Sequence, residues 1–276
     1  MSQNEDLLLE REGAVATITL NRPARRNTLN DGMLESLQGF LDDLEDDASV
    51  GAVVLTGSGP LFCGGFDVSG GPPRSGRKAF QAHADLASRT LWRIWRSRLP
   101  FVASVRGLCL GGGVYLAGVC DFLLTTPATH FTMAEIKFGM APPLFNLFPW
   151  LMGLRAAKEF LMTGDPITGD RAVEMGLATR AVPEDRLATD TIALARSLAR
   201  MADGVVPVIK RSINARWEAA GFVTGIERDV EAFVDNKVSQ GPVQKEYRRL
   251  AREVGGRTAL ERLGIDLGLG DLDAAP

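Results

Sequence analysis

The sequence predicts a mixed α/β protein, because strand, turn and helix patterns recur along its first two thirds. Residues 13–20 alternate between two faces, with Ala16, Ile18 and Leu20 on one side, and this period of two is typical of a β-strand. After Asn30, a candidate N-cap, apolar residues recur at steps of three and four, which is the spacing of an amphipathic helix. These patterns predict a body of sheet and helices.

Later elements follow in the same order. The short apolar runs 52–57 and 101–105 predict strands, and a helical pattern covers roughly 78–98 between them. A glycine-rich turn then leads into a short helix and the strand 121–126. After Asp165 the pattern becomes helical, with predicted helices over 167–176, 184–202, 206–220, 223–240 and 243–253 and a frayed tail over 264–276.

Composition excludes several classes of function. The 276 residues carry 31 Lys and Arg against 34 Asp and Glu, so no basic surplus exists for a nucleic-acid partner. Three cysteines without a CxxC pair and only two histidines argue against a disulfide scaffold and against a metal site. No run of about 18 apolar residues occurs, so we expect no membrane partner and a cytoplasmic location.

Two glycine-rich turns carry the chemistry. The first is Phe62-Cys63-Gly64-Gly65-Phe66-Asp67, after which a helix is expected to begin near Asp67, and the second is Gly111-Gly112-Gly113 before the short helix. Backbone N–H groups at such turns point outward, and two that converge on one point form an oxyanion hole. Taken alone, a glycine-rich turn of this kind most often only connects a strand to a helix and has no chemical role.

Five segments together are more specific. NRPARRN (21–27), FCGGFD (62–67), RGLCLGGG (106–113), CDFLLTT (120–126) and FTMAEIKFG (131–139) resemble, in order and spacing, the crotonase family of enoyl-CoA hydratases and isomerases. The resemblance covers roughly residues 10–205 and continues more weakly to about 253. It implies a crotonase-like spiral of ββα units over 1–205 with the CoA-thioester site, and a helical trimerisation or lid region over 206–276. It also implies an acyl-CoA substrate, no cofactor beyond the CoA of that substrate, and assembly as a homotrimer or homohexamer.

The same resemblance implies the site residues. The backbone N–H groups of Phe66 and Gly112 correspond to the family's oxyanion hole, and the ring of Phe66 is expected to narrow the acyl pocket. The residues implied to bind the substrate and its CoA are Arg26, Gly65, Phe66, Asp67, Val68, Gly111 and Gly112.

The reaction depends on two further positions. Family hydratases carry a glutamate at each, whereas this chain has Tyr115 at the first and Glu135 at the second. Hydration suits two carboxylates, and one carboxylate is enough for a 1,3-proton shift. The leading hypothesis is therefore an enoyl-CoA isomerase. A hydratase, a tyrosine-assisted decarboxylase and an acyl-CoA binding protein without turnover are the alternatives.

Each of these residues also has a purely structural interpretation. Tyr115 could be a packed residue with a satisfied hydroxyl, and Glu135 could be a cap or an ion-pair partner. The apolar stretch 141–153 suits the core, the far wall of an acyl pocket, or a contact between subunits that a monomer would struggle to cover.

Overall fold

The computed structural model describes residues 5–67, 76–141, 144–201 and 204–269. Nine strands form two sheets: β1 (Leu7–Glu12), β2 (Val15–Leu20), β3 (Ala52–Gly57), β4 (Phe101–Val105), β5 (Leu108–Leu110), β6 (Phe122–Thr125), β7 (His130–Thr132), β8 (Ile167–Thr168) and β9 (Arg180–Ala181). The larger sheet has the order β1-β2-β3-β4-β6-β9, antiparallel between β1 and β2 and parallel elsewhere. The smaller sheet has the order β5-β7-β8.

Ten α-helices in the described ranges pack around these sheets. They are α1 (Asp31–Asp46), α2 (Gly76–Arg96), α3 (Gly112–Gly118), α4 (Phe148–Thr163), α5 (Gly169–Glu174), α6 (Glu184–Arg200), α7 (Val205–Trp217), α8 (Val223–Ser239), α9 (Pro242–Val254) and α10 (Gly256–Arg262). Short 3-10 turns occupy Pro23–Arg25 and Ala134–Phe138, and a π-helical turn occupies Glu218–Phe222. Within the described ranges, no helix is both long and apolar enough to cross a membrane.

In β2, alternate side chains point to opposite faces of the larger sheet, as predicted for residues 13–20. Ala16, Ile18 and Leu20 face the main core, where α1 adds its apolar stripe, and Val15 faces a second core under α6. Asn30 caps α1 as predicted, since its side-chain oxygen accepts a hydrogen bond from Met33 N at 2.7 Å. Both faces of the central strands are therefore buried, as expected for a parallel sheet.

Several boundaries differ from the sequence-based prediction. The predicted helix 167–176 begins instead as strand β8, and the Thr168 side chain caps the shorter α5. The predicted helix 206–220 ends at Trp217, because Gly221 adopts a φ of 106° inside the π-helical turn. Strands β1, β5, β7 and β9 and helices α4 and α10 were not predicted from the pattern. The expected helix start near Asp67 falls on residues 68–75, outside the described part of the chain.

The apolar stretch 141–153 belongs mainly to the core. Phe145, Leu147 and Phe148 are fully buried within a single chain, and the Phe145 ring lies 5.1 Å from that of Trp92. The later part of the stretch, from Trp150 to Met152, is only half-buried, so a single chain covers most of it but not all. Large exposed apolar side chains are found instead on α7, at Val205, Val208, Ile209 and Ile213.

Candidate active site

Three of the motif segments meet beside β5. Leu110 N donates to Cys63 O at 2.9 Å, and Gly64 N donates to Arg26 O at 2.7 Å. Gly65 has a φ of 95°, and a Cβ added there would lie 3.1 Å from Leu110 O and 3.6 Å from Gly112 N. Glycine is thus required at position 65 both by its backbone conformation and by the close approach of the second turn.

Two backbone N–H groups are left open where the turns meet. Leu29 bonds to both neighbours of Phe66, accepting from Asp67 N and donating to Gly65 O, each at 2.8 Å. On the other side, Gly111 N donates to Thr132 O at 3.0 Å. Within the described part of the chain, the N–H groups of Phe66 and Gly112 donate to no protein acceptor. Such a pair of N–H donors can bind a negatively charged oxygen.

The Phe66 ring covers Gly112. A Cβ added at Gly112 would lie 2.9 Å from carbons of this ring. The ring also meets His83 of α2 edge to face, with centroids 5.0 Å apart, and His83 Nδ1 lies 2.7 Å from Asp31 Oδ1. The His83–Asp31 pair, which the sequence analysis did not single out, therefore supports the ring from α1 and α2.

Glu135 lies against Gly111 on the other side of the turn. It belongs to the 3-10 turn Ala134–Phe138, and a Cβ added at Gly111 would lie 2.0 Å from Glu135 Oε1. The second oxygen, Oε2, is enclosed and has no hydrogen-bond partner among the described residues. Burial raises the pKa of this carboxyl, opposed by its own backbone hydrogen bond and by the positive charge of Lys237 on α8. A carboxylate in this state is suited to act as a general base.

Tyr115 lies next to this carboxylate on α3. Its side chain is fully buried, and its hydroxyl oxygen accepts a hydrogen bond from Leu144 N at 3.2 Å. Burial raises the pKa of the phenol, and the charge of Glu135 raises it further. The hydroxyl therefore stays protonated at neutral pH and carries no negative charge into the site.

The structure describes most of the predicted CoA-binding residues, but not all of them. Arg26, in a left-handed conformation with φ of 52°, is half-buried beside Gly64. The buried Asp67 carboxylate pairs with Arg22 Nη1 at 3.0 Å. Val68 lies outside the described residues.

Helix α8 contributes polar groups that the sequence analysis missed. Asp229 accepts a hydrogen bond from Asn146 N at 3.2 Å, its charge acts on Tyr115, and burial raises its own pKa. In the sequence, Ile226, Val230, Phe233 and Val234 recur at helical spacing and predict an apolar stripe, and Ile226, Phe233 and Val234 are buried in α8. That stripe shows which face of α8 packs inward, but it gives no indication of which part of the core the helix covers.

Comparison with known proteins agrees with this arrangement. The sequence profile of the enoyl-CoA hydratase/isomerase family matches residues 10–249. The short-chain enoyl-CoA hydratase of Clostridium acetobutylicum is 30% identical over 234 residues, which cover 83% of this chain and 88% of that protein. The mitochondrial enoyl-CoA hydratase of Pongo abelii is 30% identical over 223 residues, 78% of this chain and 74% of that protein.

A solved structure shows the same fold. The enoyl-CoA hydratase/isomerase from Xanthobacter autotrophicus superposes with a TM-score of 0.90 at 32% identity, covering 93% of this chain and 96% of that one. Together with the match to the family profile and the meeting of the two glycine turns beside Glu135, this similarity shows that the chain belongs to the enoyl-CoA hydratase/isomerase family of acyl-CoA enzymes, the crotonase superfamily.

Proposed function

We propose that this enzyme is an enoyl-CoA isomerase that converts 3-enoyl-CoA to 2-enoyl-CoA with Glu135 as its single base. The observation that supports the proposal is the enclosed Glu135 carboxylate against Gly111, next to the open N–H groups of Phe66 and Gly112. At the other family position Tyr115 brings a neutral, protonated hydroxyl in place of a second carboxylate. One base beside an oxyanion hole is the minimum that a 1,3-proton shift requires.

The proposed reaction proceeds in two proton transfers. The thioester oxygen accepts hydrogen bonds from Phe66 N and Gly112 N, and the Glu135 carboxylate removes a proton from C2. The electron pair of the broken C–H bond forms a dienolate, whose negative oxygen the two N–H groups stabilise. The protonated Glu135 then returns its proton to C4, the C2–C3 double bond forms, and the carboxylate is regenerated.

Other parts of the site bind the substrate in this proposal. The Arg26 side chain contacts CoA phosphates, and Gly65, Asp67 and Val68 bind the substrate or its CoA, as the family resemblance implies. The Phe66 ring limits the width of the acyl pocket beside Gly112. CoA enters as part of the substrate, and no other cofactor takes part.

Hydration of 2-enoyl-CoA is the second candidate function. Relatives from Clostridium and Pongo are named enoyl-CoA hydratases. The Asp229 carboxylate, whose charge acts on Tyr115, could supply the second acid that hydration favours.

The two candidates predict different products. Purified protein incubated with 3-enoyl-CoA should give the 2-enoyl isomer without a gain in mass. With substrate deuterated at C2, part of the deuterium should appear at C4, because a single base carries it. Conversion of 2-enoyl-CoA with a mass gain of one water, and no conversion of 3-enoyl-CoA, would establish the hydratase instead. Tight binding with no turnover would indicate an acyl-CoA binding protein.

Two variants test the base directly. Glu135→Gln keeps the size of the side chain and removes the base, so kcat should fall by about 10²–10⁴-fold while acyl-CoA affinity changes little. Tyr115→Phe keeps the ring and should cost less than about tenfold in kcat, since its hydroxyl mainly accepts from Leu144 N. The reverse pattern would overturn the proposal and favour a tyrosine-assisted decarboxylase.

A further inference from the structure

Helix α8 is held to the chain just after the turn that carries Glu135. Asn236 Oδ1 accepts a hydrogen bond from Ala141 N at 3.0 Å. The next residue, Lys237, places its Nζ 2.8 Å from the sulfur of Met140. Two consecutive side chains of α8 therefore contact two consecutive residues of this segment.

Met140 connects Lys237 to the base. Its backbone N donates to Glu135 O at 2.9 Å, and its side chain is buried. Lys237 Nζ also lies 5.0 Å from the centre of the Phe233 ring, a cation–π distance, and the residue is half-buried. The ammonium group is thus kept at the Glu135 turn by Met140 and Phe233.

Other groups around Glu135 do not favour its charged form. Tyr115 of α3 is neutral, and the negative charge of Asp229 on α8 acts on Tyr115. From α9, Tyr247 packs on Phe138 with ring centroids 4.8 Å apart, and its pKa is raised by burial, so it is neutral as well. Lys137, on the same turn as Glu135, pairs with Asp165 at 2.8 Å.

We propose that Lys237 is a positioning residue for Glu135, and that its ammonium group, seated on Met140, keeps the carboxylate charged and able to accept a proton inside an enclosed site. This inference rests on the proposed role of Glu135 as the base. Its physical basis is that loss of solvent disfavours the charged form of Glu135 relative to the protonated form, whereas a nearby cation favours the charged form. The cation comes from the C-terminal helical region, so packing of α8 and readiness of the base are linked.

The test measures protonation of Glu135 directly. Protein labelled with ¹³C at glutamate side-chain carboxyls is titrated by NMR, and the Glu135 signal is assigned by its loss in Glu135→Gln. In Lys237→Met, which keeps most of the side-chain stem, the midpoint of this titration should rise by about one pH unit. Lys237→Arg retains the charge and should titrate like the parent, as should Lys158→Met on the exposed surface of α4.

Kinetics provide a second readout. In Lys237→Met, the acidic limb of the pH profile of kcat/KM should shift to higher pH by the same amount of about one pH unit. The rate at high pH should stay within about threefold of the parent. A merely structural role for Lys237 would lower the rate at every pH and leave the limb in place. Lys237→Gln serves as the second neutral variant if Lys237→Met does not fold.

The outcomes separate this inference from the proposed function. If Glu135→Gln is inactive but the Glu135 midpoint is unchanged in the neutral Lys237 variants, the inference about Lys237 is wrong and the base assignment stands. If Glu135→Gln keeps full activity, the base assignment is wrong. The NMR titration still decides whether Lys237 sets the charge of this carboxyl, including in a protein that turns over neither substrate.

Discussion

At the scale of single residues, the exchange of a carboxylate for Tyr115 changes the electrostatics of the site. A glutamate at position 115 would place a second negative charge in the same enclosure as Glu135, and two such carboxylates raise each other's pKa. Tyr115 occupies this space without charge and binds Leu144 N through its hydroxyl oxygen. Glu135 can therefore remain ionised without repulsion from a second carboxylate at position 115.

A substitution at Gly112 tests whether its N–H group belongs to the oxyanion hole. In Gly112→Val, a Cβ would lie 2.9 Å from carbons of the Phe66 ring, and the added methyl groups would obstruct the thioester as well. The ring and the 112 backbone would have to separate, which moves both N–H groups away from a common point. We expect kcat/KM to fall by about 10²-fold or more, since one such donor is worth roughly 10²–10³.

The measurement pairs steady-state kinetics with circular dichroism. Gly225→Val on α8, where a Cβ would meet nothing within 4 Å, provides a control for the added valine. Activity within a few-fold of the parent in a folded Gly112→Val protein would show that Gly112 N does not bind the oxyanion.

Sequence reasoning reached the site through the family resemblance. The resemblance implied the pairing of Phe66 with Gly112 and the role of Glu135, and the structure brings the two glycine turns together beside Glu135. The resemblance placed Asp67 among the CoA-binding residues but did not predict that its carboxylate pairs with Arg22. That pair depends on how residues 45 positions apart meet, and composition and periodicity give no information on such a distance.

At the scale of elements, α7 is anchored by a buried ion pair. Lys210 Nζ lies 2.8 Å from Asp121 Oδ2 and donates to Ile94 O at 3.0 Å and Leu99 O at 2.9 Å. Asp121 Oδ2 also accepts from Phe101 N at 2.8 Å. One lysine thus joins α7 to the end of α2 and to the strands β4 and β6.

Removal of this lysine should destabilise the whole fold. Lys210→Met leaves the Asp121 carboxylate buried without its cation, so the free energy of unfolding should fall by about 3–5 kcal/mol. Urea unfolding at fixed protein concentration measures this change, and Arg211→Met on the exposed side of α7 should stay within about 0.5 kcal/mol of the parent. The double variant Lys210→Met/Asp121→Asn should recover part of the loss. A loss below 1 kcal/mol in Lys210→Met would contradict the anchoring role.

Helical periodicity predicted α6 to α9 with small errors at their ends, but it did not predict their partners. Pattern analysis identified the inward stripe of α8, and the structure shows that this stripe packs along α2. The polar residues beside the stripe, Asp229 and Lys237, look like ordinary solvated side chains in the sequence. Their contacts with the Glu135 region arise only when the C-terminal helices fold back on the core.

At the scale of the whole molecule, an apolar stripe on α7 is left uncovered by the described part of the chain. Val205, Val208, Ile209 and Ile213 follow one another at helical spacing along α7, and each is more than half exposed. On the same helix, the buried Lys210 fixes the opposite face to the core. A rigid apolar stripe of this kind is typical of a contact between subunits.

We propose that this stripe binds a second copy of the chain and that the enzyme assembles as a homotrimer or homohexamer, as the family resemblance implies. Light scattering should give a mass of three or six chains for the parent. In Ile209→Glu/Ile213→Glu two charges would be buried in the contact without partners, so the assembly should dissociate at micromolar concentration. The surface variant Lys158→Met should keep the parent's mass. A parent that is monomeric at micromolar concentration, or a double glutamate variant that assembles like the parent, would show that the α7 stripe does not join the subunits.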